Sequence, residues 1–268
     1  MSADMDRVEA LMREVADTAI LPRFRALDSG DIDEKSGPQD LVTVADREAE
    51  DLLAPALEGL LPGSRVVGEE GVSSGATALE HLLGDQPVWL VDPVDGTYNF
   101  VHGSEKFGVI VALALGGEVR QGWILFPSTG TCARAERGAG AYVDGERLGP
   151  PPAKPFSEAF GDYSHSYVDE PFRSAFLDAT AKSGGTRQGR CSAQAYTDLA
   201  RGRIDYVLQY KMTPWDHAAG QVLVEEAGGR FGFLPGGQPY SPRLTADRPM
   251  LAVARADVWD DYAGRLPF

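Results

Sequence analysis

Six short apolar runs, separated by glycine-containing turns, fill the stretch between residues 65 and 143. They are Arg65–Gly68, Val88–Asp92, Phe107–Leu115, Val119–Phe126, Thr131–Glu136 and Ala141–Val143. Their strand-like lengths, even spacing and many β-branched residues predict one sheet that is largely antiparallel. None approaches the roughly 20 consecutive apolar residues that a membrane-spanning helix requires, so we expect no membrane segment.

Helical patterns precede this predicted sheet. Apolar spacing predicts one helix over residues 3–27, which Pro22 kinks or ends early, and another over residues 45–61 that stops at Pro62. The polar segment between them, residues 28–40, is expected to be a loop. A solvated surface loop and a lid over a site are equal alternatives for it.

The proline-rich segment at residues 150–155 marks a predicted boundary between two subdomains, residues 1–150 and 151–268. Beyond this boundary helical and extended patterns alternate, which predicts a second set of α/β layers. The predicted helices cover residues 170–182, 192–201 and 215–227, and the predicted strands cover residues 204–208 and 250–254.

The charge balance restricts the partners of the chain. Its 268 residues include 40 acidic and 25 basic side chains, which give a net charge of −15. Non-specific binding of nucleic acid needs a basic surface, so the sequence argues against that class of function. Cys132 and Cys191 stand far apart and suggest neither a zinc site nor a disulfide framework. The N-terminus does not resemble a secretory signal, and we expect a cytoplasmic protein.

The segment most informative about chemistry is WLVDPVDGTYNF, residues 89–100. An apolar run ends at Asp92, and Asp95 follows within the same turn, ahead of Gly96 and Thr97. Two carboxylates at the end of a strand can face a single point, and Mg²⁺ prefers such oxygen ligands. A helix that begins at Thr97 directs its positive end at an anion. The same residue types also build ordinary tight turns, so this segment alone leaves both interpretations open.

Three further segments carry acidic residues at the ends of predicted elements. GEEG contains Glu69, TPWDHAAG contains Asp216 in the first turn of a helix, and DLVTVAD ends at Asp46. Taken singly, Glu69 is better explained as part of a charged surface turn, and Asp216 and Asp46 can each be a carboxylate that complements a helix dipole.

The four segments together resemble the inositol monophosphatase family, and the resemblance runs from Lys35 to Gly229. The combination of WxxDPxDGTxNF, a following His102 and a distant WDxAAGxxxxxEAGG is very specific. The resemblance implies an α/β (α+β) fold, the layered αβαβα sandwich of the inositol monophosphatase and fructose-1,6-bisphosphatase type. It also implies a magnesium-dependent, lithium-sensitive phosphomonoesterase that forms a homodimer.

The family roles carry over to individual residues of this sequence. The implied metal ligands are Glu69, Asp92, the carbonyl of Val94, Asp95 and Asp216, which would hold two or three Mg²⁺ ions. Glu69 is also implied to orient a water, Thr97 to polarise the attacking water, and Asp46 to be the acidic partner of Thr97. The N–H groups of Gly96 and Thr97 would hold the phosphate. The implied reaction is hydrolysis by a metal-activated water without a covalent enzyme intermediate.

At the positions that contact the substrate in the family, the residues of this sequence differ from the family pattern. Gln209 stands where inositol-specific members carry a glutamate, Lys211 adds a cation nearby, and Arg190 occupies a glycine-like position. We predict that these three residues contact the substrate, and the open alternatives are a solvated Lys211 and a structural Arg190. His165 and His217 are further candidates for the pocket.

Several activities stay open at this point. The substrate is predicted to be inositol monophosphate or a related polyol or sugar phosphate; the alternatives are histidinol phosphate, fructose 1,6-bisphosphate and a 3′-phosphoadenosine nucleotide. A non-catalytic regulator that acts through a protein partner is the alternative of another class. Phosphatases with a DxDGT motif, which form an aspartyl phosphate, are excluded because two residues rather than one separate Asp92 from Asp95.

Overall fold

The computed structural model describes residues 2–37, 40–164, 170 and 172–268. Within these residues the α-helices are α1 Met5–Val15, α2 Val44–Leu60, α3 Glu69–Ser73, α4 Thr97–Val101, α5 Phe172–Thr180, α6 Ser192–Ala200, α7 Pro214–Glu226 and α8 Trp259–Ala263. The strands are β1 Ile32–Gly37, β2 Asp40–Thr43, β3 Arg65–Gly68, β4 Val88–Asp95, β5 Gly108–Leu115, β6 Glu118–Phe126, β7 Thr131–Glu136, β8 Gly140–Val143, β9 Glu146–Arg147, β10 Phe160–Tyr163, β11 Gly185–Arg187, β12 Tyr206–Gln209, β13 Arg230–Phe233, β14 Gln238–Pro239 and β15 Met250–Val253.

The six apolar runs form the central part of a seven-stranded sheet with the order β3-β4-β5-β6-β7-β8-β9. Strands β3 and β4 are parallel, and every later neighbour pair in this sheet is antiparallel. The prediction of one largely antiparallel sheet is therefore confirmed. All residues of β4 are buried, which agrees with a central strand covered on both faces.

A second, six-stranded sheet has the order β11-β10-β12-β15-β13-β14 and is built from residues after position 159. Strands β11, β10 and β12 are parallel to one another, whereas β15 pairs antiparallel with both β12 and β13. Each sheet thus lies within one of the two predicted subdomains, and the boundary near residue 150 stays a prediction.

Helices and sheets alternate in five layers because each sheet is apolar on both faces. Helices α1 and α2 cover one face of the large sheet, where Trp89 and Trp123 pack against them. Helices α6 and α7 fill the space between the two sheets, in the largest apolar cluster. Helices α5 and α8 cover the outer face of the second sheet, with Phe176 and Trp259 in the third cluster. The predicted αβαβα sandwich is therefore confirmed.

One prediction for the N-terminal region is confirmed and one needs correction. After α1 the chain continues as a π-helical segment at Ala16–Ile20 and a 3₁₀ turn at Leu21–Arg23, so the helical stretch ends early around Pro22 as predicted. The segment expected to be a loop contains β1, which pairs antiparallel with β2. Residues 38 and 39 of the supposed lid lie outside the described residues. None of the helices in the described part of the chain combines the length and apolarity needed to cross a membrane.

Candidate active site

The carboxyl end of β4 carries the first acidic residues of the site. The pairing of β4 with β5 shifts register between Asp92 and Asp95, so the strand is irregular where these two carboxylates lie. Gly96 then turns the chain with φ +85°, and a Cβ atom there would lie 3.0 Å from the carbonyl oxygen of Lys106. A glycine is needed at this position both for the left-handed backbone and for the close approach.

Three carboxylates from three elements meet at this strand end. Glu69 directly follows β3, whose last residue pairs in parallel register with the residue before Asp92 in β4. Asp216 lies in the first turn of α7, whose first residue is a proline. One oxygen from each of Glu69, Asp92 and Asp216 lies within 4.8 Å of the others. Oxygen atoms so placed are suited to a hard cation such as Mg²⁺.

Asp95 makes a different set of contacts. Its carboxylate accepts hydrogen bonds from the backbone N–H of Ser192 (3.0 Å), the backbone N–H of Ala193 (2.7 Å) and the thiol of Cys191 (2.9 Å). These donors form the N-terminus of α6, where unpaired N–H groups favour a negative charge. Asp95 therefore links β4 to α6, which lies in the helical layer between the two sheets. The role of Asp95 as a metal ligand stays a prediction.

Thr97 and Asp46 are brought together as predicted, although their catalytic roles are not tested by this contact. The Thr97 hydroxyl lies 3.0 Å from a carboxylate oxygen of Asp46 and 2.9 Å from the carbonyl oxygen of Val94. The other oxygen of Asp46 accepts from the backbone N–H of Thr43 at 2.8 Å, which forms a capping box at the start of α2. Asp46 is thus fixed by the helix that it caps.

Burial dominates the electrostatics of the acidic cluster. Burial, together with the neighbouring Glu69, Asp95 and Asp216, raises the pKa of Asp92 well above its usual range. Burial also raises the pKa of Glu69 to about 8, against the effect of Lys35, and the pKa of Asp95 to about 7. Buried carboxylates that cannot easily ionise together are stabilised by bound cations.

Two residues of the site were not assigned roles from the sequence. Lys35 in β1 places its ammonium group 2.8 Å from Glu69 and 2.6 Å from Glu70. Glu50 in α2 accepts hydrogen bonds from the backbone N–H groups of Glu70 (2.8 Å) and Gly71 (2.6 Å). Lys35 supplies positive charge beside the cluster, and Glu50 fixes the segment that carries Glu69.

The residues predicted to contact the substrate surround the same cavity. Gln209, Lys211 and Arg190 line it together with the three clustered carboxylates. His217 also lines it and is buried; its Nδ1 lies 2.7 Å from the Tyr196 hydroxyl and its Nε2 lies 2.8 Å from the Lys211 carbonyl oxygen. These contacts are those of a residue that positions the end of β12. His165 lies outside the described residues.

The donor set fits a magnesium-type ion. The clustered ligand atoms are all carboxylate oxygens, and the only side-chain cation hydrogen-bonded to them among the described residues is Lys35, which contacts Glu69. The carboxylates concentrate negative charge at the bottom of a cavity, and a divalent cation bound there would neutralise this charge. Glu69, Asp92 and Asp216 are the residues that would hold it.

Five alternating layers of helices and sheets hold a carboxylate cluster where strands of the large sheet end, an arrangement suited to a metal-dependent hydrolase of phosphate esters. Comparison with known proteins identifies the family within that class. The model of the inositol monophosphatase family matches residues 4–260, and the chain belongs to this family. It is accordingly a phosphomonoester hydrolase of a metal-dependent family.

Two relatives and one solved structure illustrate the similarity. A fructose-1,6-bisphosphatase/inositol-1-monophosphatase of Thermotoga maritima is 33% identical over 231 residues, which are 84% of each chain. An inositol-1-monophosphatase of Bacillus subtilis is 33% identical over 213 residues, or 78% of each chain. The structure of a Thermotoga maritima IMPase superimposes with a TM-score of 0.82 at 27% identity and covers 97% of this chain and 95% of that chain.

Proposed function

We propose that this protein hydrolyses a small phosphate monoester, an inositol monophosphate or a related polyol or sugar phosphate, with Mg²⁺ as its cofactor. The observation that carries the proposal is the meeting of Glu69, Asp92 and Asp216 within 4.8 Å at the base of a polar cavity. Carboxylate oxygens select Mg²⁺ over softer metals, and a phosphate ester supplies the remaining oxygen ligands that this ion favours.

Bound Mg²⁺ would supply Lewis acidity that activates water and neutralises charge on the phosphate. Thr97 has a role that follows from its contacts. The Thr97 hydroxyl donates its single proton in a hydrogen bond to Asp46 or to the carbonyl oxygen of Val94. A lone pair of the hydroxyl oxygen is therefore left to accept a hydrogen bond from water. A water held in this way presents its own lone pair to phosphorus. The N–H groups of Gly96 and Thr97 are proposed to hold the phosphate.

Other parts of the proposal extend the family expectation. Asp95 and the carbonyl of Val94 complete the ligand set for two or three ions, and Glu69 orients a water. Gln209, Lys211 and Arg190 read the organic part of the substrate. The protein acts as a lithium-sensitive homodimer in the cytoplasm. Histidinol phosphate, fructose 1,6-bisphosphate and 3′-phosphoadenosine 5′-phosphate are the alternative substrates.

Phosphate release from a panel of esters, with Mg²⁺ or with EDTA, tests the proposal. The panel contains inositol 1-phosphate, glycerol 2-phosphate, histidinol phosphate, fructose 1,6-bisphosphate and 3′-phosphoadenosine 5′-phosphate. We expect magnesium-dependent turnover that Asp92→Asn reduces by at least about a thousandfold, since the substitution removes a charged ligand. Asp178→Asn, at an exposed position of α5, is the matched control and should leave turnover unchanged.

Folded, magnesium-loaded protein that releases phosphate from none of these esters would contradict the proposal. It would favour the non-catalytic regulator, for which Asp92→Asn should preserve the biological effect. Turnover that survives in both Asp92→Asn and EDTA would remove the metal from the reaction and with it the assigned role of the carboxylate cluster.

A further inference from the structure

Arg190 lines the cavity and carries a positive charge, opposite to the charge of the carboxylate cluster. Its backbone has φ +52°, a left-handed conformation that side-chain-bearing residues adopt rarely. Its guanidinium carbon lies 4.6 Å from the centre of the Tyr98 ring, and both residues line the cavity. Strain of this kind at a cavity wall indicates a position that the surrounding structure holds in place.

The loop before Arg190 is fixed from two sides. The Asn99 side-chain amide donates to the carbonyl oxygens of Gly189 (3.1 Å) and Lys106 (2.8 Å), which ties the loop to the residues after β4. Asp162 at the end of β10 accepts from Arg187 Nε (2.8 Å) and lies 3.4 Å from the backbone N–H of Gly189. Arg190 is therefore presented from an anchored loop, which lowers the entropic cost of using its side chain.

The guanidinium of Arg190 has no carboxylate partner among the described residues. Asp162, which also lines the cavity, is already paired with Arg187. The guanidinium lies over the Tyr98 ring in a cation–π contact, and this contact occupies no carboxylate or carbonyl acceptor, so its N–H groups can still donate hydrogen bonds to a ligand. Two parallel N–H donors match the oxygens of a phosphate or a carboxylate.

We propose that Arg190, supported by Tyr98, binds a second anionic group of the substrate, a phosphate or carboxylate other than the ester phosphate that is hydrolysed. The inference rests on the proposed function and deepens it. Lys211 lines the same cavity and adds positive charge there. The substrate class is then a phosphate monoester with a further negative group, and esters with a positively charged organic part are disfavoured.

Matched pairs of esters test this inference, because the members of each pair differ only in the second anion. Glycerol 2-phosphate is compared with 2-phosphoglycerate, which has a carboxylate in place of one hydroxymethyl group, and fructose 1-phosphate with fructose 1,6-bisphosphate, which adds a phosphate. A hydrogen-bonded charge contributes about 10- to 100-fold. We expect the wild type to favour the doubly anionic member by this factor in kcat/KM, mainly through KM.

Four variants assign the preference to the stacked pair. Arg190→Met keeps the aliphatic stem and should lose the preference, because KM for the doubly anionic member of each pair should rise about 10- to 100-fold more than KM for the singly phosphorylated member. Arg190→Lys should keep part of the preference. Tyr98→Phe retains a ring for stacking and should behave as wild type, whereas Tyr98→Leu should reduce the preference. Arg7→Met, at an exposed position of α1, is the control.

The outcomes separate this inference from the function on which it rests. An equal loss on both members of a pair in Arg190→Met would overturn the inference, because Arg190 would then serve the reacting phosphate or the fold. An unchanged preference would overturn it as well. If no ester is turned over, the proposed function fails, and calorimetric binding of 2-phosphoglycerate against glycerol 2-phosphate still decides the question. Equal binding of the two by wild type would overturn the inference in that case too.

Discussion

Replacement of Asp92 by asparagine should make the metal-free protein more stable while it removes activity. Asparagine keeps the hydrogen bond that holds the side chain, because its oxygen can accept from the Val94 N–H, which lies 3.1 Å from Asp92 Oδ1. Its amide can also donate to the neighbouring Asp216. What the substitution removes is a buried group that can ionise next to two other carboxylates. The structure therefore predicts opposite effects of one substitution on stability and function.

The size of the gain follows from the spacing of the carboxylates. Two unit charges 4.8 Å apart repel each other by about 3.5 kcal/mol at an effective dielectric constant of about 20. Asp92 avoids part of this cost by keeping its proton, since its pKa is raised well above the usual range. A net gain of about 2 kcal/mol at pH 8 is expected after that adjustment, which corresponds to a rise in Tm of about 4–8 °C.

The pH dependence has a definite sign. A carboxyl group whose pKa is higher in the folded than in the unfolded protein contributes most to stability below its unfolded value of about 3.9. That contribution is lost as the pH rises through the folded value, because the unfolded chain ionises first. Wild-type protein in EDTA should therefore lose stability from about pH 4 to pH 8, and the advantage of Asp92→Asn should grow over the same range.

Urea and thermal unfolding in EDTA at pH 5 and pH 8, repeated with saturating Mg²⁺, measure these differences. Magnesium at a hundred times its Kd should stabilise the wild type by about 2.7 kcal/mol and the variant by much less, which reverses their order. Asp198→Asn is the control, because Asp198 is buried but paired with Arg187 and Arg203, and its loss should destabilise. Equal stability of wild type and Asp92→Asn in EDTA at pH 8 would show that the calculated repulsion is absent.

Two further substitutions test how the site is supported. In Gly220→Ala the new Cβ would lie 2.2 Å from the Tyr196 ring, so overpacking should lower the free energy of unfolding by about 1–3 kcal/mol. Urea denaturation with Mg²⁺ present measures this loss. An unchanged midpoint would mean that α6 and α7 can move apart without cost. In Glu50→Gln one of the two backbone N–H groups after Glu69 loses its acceptor, so the Mg²⁺ concentration for half-maximal activity should rise about tenfold. An unaltered magnesium titration would show that Glu50 does not hold the Glu69 segment in place.

The sequence predicted those parts of the molecule that local rules determine. The large sheet was predictable because Val88–Val91 in β4 and nearly all of β5 are apolar runs of strand length between turn residues, a combination that favours buried strands. Asp92 and Asp216 were noticeable because each lies in a segment with a clear turn or helix-start signal, but these signals alone left a tight turn and a capping carboxylate open. Their assignment as metal ligands came from the resemblance of the four segments to the family.

Residues whose role depends on distant contacts could not be assigned in this way. Lys35 lies in a polar segment that was taken for a loop, and its partners Glu69 and Glu70 are 34 and 35 positions away. The glycine and proline in the sequence SGPQD are typical of a connection between paired strands, and this sequence signal could have predicted the pairing of β1 with β2. Glu50 resembles any exposed acid of an amphipathic helix until the close approach of Gly68, where a Cβ would lie 2.3 Å from its carboxyl carbon, is known.

The attachment of Asp95 to the start of α6 has a consequence for protein synthesis. The hydrogen-bond donors for Asp95 lie 97 and 98 positions later in the chain, and Asp216 is later still. A nascent chain of which only the segment through β4 has emerged from the ribosome already contains several acidic residues of the site. It still lacks the N–H donors for Asp95 and the third carboxylate of the cluster, Asp216. Since a ligand stabilises only the state that it binds, a divalent cation held by the completed cluster would favour the finished polypeptide over its shorter precursors. Chains stopped before α7 are therefore expected to be preferred targets of cellular proteases.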